Sequence, residues 1–169
     1  MDRFLRLPVS VVVEKRAARS PWVDHLWVPV AVLPAPTVAA PWTVLRREGD
    51  VTAYIAGQTE LELAASDTPG YKANLESGRP VLWVVLRATL DEPGVELHRV
   101  LADAGEAESL VSVGSSDIIE PVPMPGPIRE TLEAFVALHH RERRFFKRKR
   151  DRADPEALAA RPKIVDEDG

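Results

Sequence analysis

Residues 123–152 read PMPGPIRETLEAFVALHHRERRFFKRKRDR, and this stretch decides how the rest of the chain is organised. Alternating prolines lead into an amphipathic pattern, with Pro127 suited to the first turn of a helix. Ile128, Leu132, Phe135 and Leu138 or His139 then fall at i, i+4, i+7 and i+10 or i+11, one apolar stripe of a 3.6-residue period. Such a stripe must lie on something apolar, so the helix is expected to close a sheet. The stripe fades after Leu138 as charge rises, so the helix is expected to leave the body near His139.

Upstream, apolar residues recur at period 2. Val9, Val11 and Val13 share one face of a strand over 7–15 whose Pro8 suits an edge. Further strands are expected over 27–33, 42–47, 51–56 and 58–64, where Leu61 and Leu63 alternate with Glu60 and Glu62. Gly49-Asp50 makes one turn, and Gly57 separates the last two. Asp67-Thr68-Pro69 starts a short helix that Gly78 ends, with Tyr71 and Leu75 on one face. Val81–Leu86 is apolar on both faces and should be a central strand, followed by one over 95–101. Asp103 caps a short helix over 104–111. The expected fold is α+β: an antiparallel meander of about seven strands, a half-barrel or roll, closed by the long C-terminal helix. Residues 1–150 are expected to form a single domain and 151–169 a flexible tail.

The 169 residues suffice for one real core. With no cysteine, disulfides, thiolate metal sites, cysteine-ligated clusters and thiol catalysis are excluded. The longest N-terminal apolar run, Val11–Val13, is stopped by Glu14, Lys15 and Arg16, so neither a signal peptide nor a membrane span is expected, and the chain is expected in the cytoplasm. The net charge of −4 is segregated: residues 1–138 carry −7, residues 139–152 carry +6, and the remainder −3.

The basic segment interleaves Arg143, Arg144 and Lys147 with Phe145 and Phe146, a surface suited to an acidic protein partner or an anionic membrane, set against a solvated helix end whose cations suit the negative end of the helix dipole. Nucleic acid is disfavoured by the acidic body, which repels phosphate backbones. Trp22 and Trp27 flank Asp24-His25 and form a candidate partner anchor, set against ordinary core packing. His139 and His140 are adjacent, so on a helix they diverge by about 100° and do not share a metal. Gly114-Ser115-Ser116-Asp117 fits either a phosphate loop or a helix stop. No nucleotide-binding glycine loop, nucleophile elbow or His-Glu-x-x-His occurs, so no catalytic set and no cofactor are assigned.

The blocks VSVVVEKR, SPWVDHLWVPVAVLP, PWTVLRREGDVTAYIAG, YKANLESGRPVLWVVLR and EPVPMPGPIRETLEAFVALHHRER, in this order, resemble a small family of uncharacterised proteobacterial proteins, a domain of unknown function, over nearly the whole chain to about Arg150. The resemblance carries no catalytic residues. It implies genes beside those of molybdenum-dependent formate dehydrogenase and iron–sulfur proteins. The implied role is an accessory subunit or an assembly factor for such an oxidoreductase. The alternative it implies is a nucleotide- or pterin-binding protein or transferase of molybdenum cofactor metabolism, with its site in the mouth of the β-roll.

Overall fold

The computed structural model describes residues 2–112 and 116–140. Seven antiparallel strands among them lie in two open sheets. The first has the order β2-β1-β4-β3, made of β1 (Phe4–Ser20), β2 (Val23–Leu33), β3 (Thr43–Glu48) and β4 (Val51–Ala64). The second has the order β6-β5-β7, made of β5 (Val81–Ala88), β6 (Val95–Leu101) and β7 (Ile118–Pro123). Helices α1 (Thr68–Leu75) and α2 (Ala104–Ser112) sit at the connections, and α3 runs over residues 126–140. The α+β class and the closing helix stand as read from the sequence.

The connectivity departs from one continuous meander. β4 returns beside β1, pairing Phe4 with Ala64 at one end and Arg16 with Val51 at the other. The segments 51–56 and 58–64 are therefore a single strand. Gly57 takes φ +152° opposite Val11, in a bulge where Ala56 is the extra residue, so the chain bends without turning back. β7 was not expected, because Pro121 and Pro123 argue against a strand. It pairs with β5 alone, and an edge strand tolerates a residue that donates no hydrogen bond.

The core lies between the sheets. Val9, Val11 and Val13 of β1 meet Leu61 and Leu63 of β4, Leu82, Val84 and Leu86 of β5, and Ile128, Leu132 and Phe135 of α3. The stripe ends on His139, which is buried 4.5 Å from the Phe135 ring, while Leu138 is exposed. Opposite that core, Val85 of β5 packs with Leu101 and Ala107, so β5 is covered on both faces. Asp103 accepts a hydrogen bond from the Gly105 amide and caps α2 as expected. Asp67 makes no such bond at α1; Thr68 instead donates its hydroxyl to the Ala65 carbonyl, which leaves Pro69 to fill the first turn.

Tyr71 is 1 % exposed and its hydroxyl accepts a hydrogen bond from the Ala64 amide at 3.0 Å. Burial pushes its pKa up, from 10.0 to about 12. Because the folded value lies above the unfolded one, the stabilisation is complete below pH 10 and is lost as pH rises toward 12. Urea unfolding from pH 9 to 12 should therefore show falling stability, and Tyr71→Phe should remove that part of the slope. The substitution itself should cost about 1 kcal/mol at neutral pH by leaving the Ala64 amide without an acceptor.

Candidate functional site

β1 and β2 continue beyond the sheet's packed half as a hairpin. Their pairing extends to Ser20 opposite Val23, and Pro21-Trp22 makes the turn. Trp22 stands at the tip, 89 % exposed, with only its backbone amide engaged, to the Ser20 hydroxyl. Val23 and Leu26 behind it are also exposed, so the tip carries apolar surface with no core to cover it.

Trp27 has a different setting. It is half-buried, with Trp42 at 5.1 Å, His25 at 5.3 Å and Tyr54 at 5.9 Å between ring centroids. The contacts with His25 and Trp42 are edge-on, the geometry ring quadrupoles favour. Lys15 lies 5.6 Å above the Trp27 ring. Trp42 enters with φ +66°, a left-handed conformation that costs a bulky residue about 1–2 kcal/mol. Its amide bonds the Ile55 carbonyl at 2.6 Å, and its ring fills the space against Trp27 and Tyr54. The cluster thus fixes the base of the hairpin and leaves the tip projecting. Of the two tryptophans singled out in the sequence, one belongs to this rigid base and one to the free end.

Charge is distributed unequally over the arm. On one face Glu14, 8 % exposed, is paired with Arg16 at 2.7 Å and Arg46 at 2.9 Å. Beside this pair, Lys15, Arg16, His25 and Arg47 line a cleft of about 320 Å³ together with Asp24 and Asp50. A larger cleft, about 500 Å³, opens between Trp42, Gly57 and Gln58 and the β6 side, where Asp91, Glu92 and Glu96 line it. Its carboxylates oppose a ligand carrying phosphates. A third groove, with Trp83, Ala107, Val111 and Ile119, lies between α2 and the outer face of the second sheet.

No group of three or more His, Cys, Asp or Glu residues placed to hold a metal occurs among the described residues. The Nδ1 atom of His139 is buried and no hydrogen bond reaches it. Glu60 and Glu62 are exposed on β4, as their alternation with leucine requires. Arg143, Arg144, Phe145, Phe146 and Lys147 lie outside the described residues, as do Gly114, Ser115 and the tail 151–169. No described helix is long and apolar enough to cross a membrane.

Sequence reasoning missed the left-handed backbone at Trp42 and the cleft that Lys15, Thr52 and Arg47 share. The cleft depends on register: a slip of one residue would exchange Lys15 with Glu14.

The model of a family described as Protein of unknown function (DUF3305) matches residues 8–150. No curated protein and no solved structure matches the chain.

Proposed function

We propose, for a chain that belongs to the DUF3305 family, the role of a non-catalytic accessory subunit or assembly factor that docks on a partner protein. The single observation that carries this reading is the Trp22 tip: a large ring, 89 % exposed, on a hairpin whose base is held rigid by Trp27, Trp42 and Tyr54. Tryptophan at a protruding, preorganised position loses little conformational freedom on binding and contributes much contact area. The concentrated charge of residues 139–152, net +6, supplies a second contact through Arg143, Arg144, Phe145, Phe146 and Lys147, suited to an acidic surface.

The partner is a molybdenum- and iron–sulfur-containing oxidoreductase of the formate dehydrogenase type, met in the cytoplasm. This identity rests on the family resemblance of the sequence blocks. Tagged protein recovered from its source cells should bring down a molybdenum enzyme, identified by peptide mass and metal content. Trp22→Ala should reduce that recovery by about tenfold or more, since an interface tryptophan is worth about 2 kcal/mol. Replacing Arg143, Arg144 and Lys147 by glutamate should act in the same direction. Recovery of the tagged chain free of any molybdenum enzyme would contradict the reading.

A further inference from the structure

β2 is the outermost strand of the first sheet, and among the described residues no strand hydrogen-bonds to its outer edge. An open edge is a template for another strand, so proteins blunt it with prolines, bulges and charges. The other edges here are blunted. β3 is six residues long, with a bulge at Leu45 followed by Arg46, Arg47 and Glu48. β7 carries Pro121 and Pro123, and β6 carries Glu96 and Arg99. On β2 itself, Pro29 and the bulge at Val30 interrupt the half nearer the body. The remaining stretch, residues 23–28, has no proline, no bulged residue and one formal charge, Asp24. Val23 and Leu26 within it are exposed, as is Trp22 at the adjoining turn.

We infer that residues 22–28 pair antiparallel with the same stretch of a second copy, about a two-fold axis normal to the sheet. The two four-stranded sheets then join edge to edge. Because side chains alternate between faces, such an axis keeps the faces of both copies aligned only when it passes level with a residue.

Charge selects that residue. An axis at Asp24 sets two like carboxylates directly opposite each other, which is destabilising. An axis at Leu26 sets Asp24 opposite Val28, whose neighbour on β1 is Glu14. It also sets Val23 opposite Pro29, which has no N–H to donate. An axis at His25 avoids both faults. Asp24, which makes no ion pair among the described residues, then faces Leu26 of the second copy, whose neighbour on β1 is Arg16. Val23 falls opposite Trp27 and Trp22 beside Val28, so the exposed apolar groups of the two tips cover one another.

The paired stretch is shorter than the roughly 20–30 residues a side of a standard interface, so the dimer is weak, with a Kd of about 10–100 µM, and separates on dilution. The dimer and a docking partner compete for Trp22. The inference does not rest on the accessory role, because it concerns the isolated chain.

The test is sedimentation velocity of the full-length chain from about 5 to 500 µM, followed by disulfide trapping, which the lack of native cysteine makes specific. The average mass should rise from 18.7 kDa toward twice that value with concentration. Trp22→Ala and Asp24→Arg should each weaken association by about tenfold, while Leu45→Arg, on the β3 edge, should leave it unchanged. His25→Cys, on the axis, should oxidise to a covalent dimer. Leu26→Cys should not, because its two copies sit about 8 Å apart, beyond disulfide reach. A chain that stays monomeric throughout, association unaffected by Trp22→Ala, or trapping of Leu26→Cys in preference to His25→Cys would overturn the inference.

Discussion

Leu132→Ala should lower the unfolding free energy by about 2–5 kcal/mol, the range for truncating a fully buried leucine that the surroundings cannot collapse around. Leu132 is 0 % exposed and lies between Ile128 and Phe135 on the face of α3 that meets both sheets. Losing it opens a cavity at the one place where α3, β1, β4 and β5 share a core. Leu138→Ala, six residues along the same helix but 45 % exposed, should change stability by less than about 0.5 kcal/mol. Urea denaturation of the two variants measures the contrast directly. Equal effects would mean that α3 does not dock by this face.

Asn74→Ala should cost about 2–4 kcal/mol, as three hydrogen bonds to buried and half-buried backbone lose their partner together. The Asn74 side-chain amide donates to the carbonyls of Val81 at 2.7 Å and Ala102 at 3.0 Å. Its oxygen accepts from the Val81 amide at 3.1 Å. One side chain at the end of α1 thus ties the start of β5 to the residue following β6. Alanine leaves two carbonyls and an amide without partners, whereas Lys72→Ala, which removes only the exposed i,i+4 pair with Glu76, should be almost neutral. Amide exchange at Val81 is the second readout: it should speed up in Asn74→Ala and stay unchanged in Lys72→Ala.

Neither prediction is reached equally well from sequence. Leu132 was legible, because Ile128, Leu132 and Phe135 mark one face of a helix by spacing alone, and a stripe of that width has to be buried. The same holds for Val9, Val11 and Val13, and for Leu61 and Leu63, where period 2 separates core from solvent. Asn74 carried no signal. A polar residue in a short helix becomes a latch only when β5 and β6 bring Val81 and Ala102 to it, the second from 28 residues away. Gly57 misled for a related reason. Glycine permits a turn or a bulge equally, and the long pairing of β1 with both halves of β4 selects the bulge.

The candidate site divides along the same line. Trp22 and Trp27 stood out by residue type, yet their unlike settings follow from tertiary neighbours: Trp42 and Tyr54 reach Trp27 and leave the turn at Pro21-Trp22 bare. Trp27, Lys15, Thr52 and Arg47 lie opposite one another in turn on four strands, and no local pattern connects them before the register is fixed. The basic stretch 139–152 is legible by composition alone.

The measurement that bears most directly on the docking role is hydrogen exchange of the recovered complex compared with the free protein. In the complex, exchange should slow across the Ser20–Leu26 tip while the Glu60–Leu63 segment of β4 stays unchanged. Exchange at the tip identical in the two states, with protection appearing elsewhere, would contradict it.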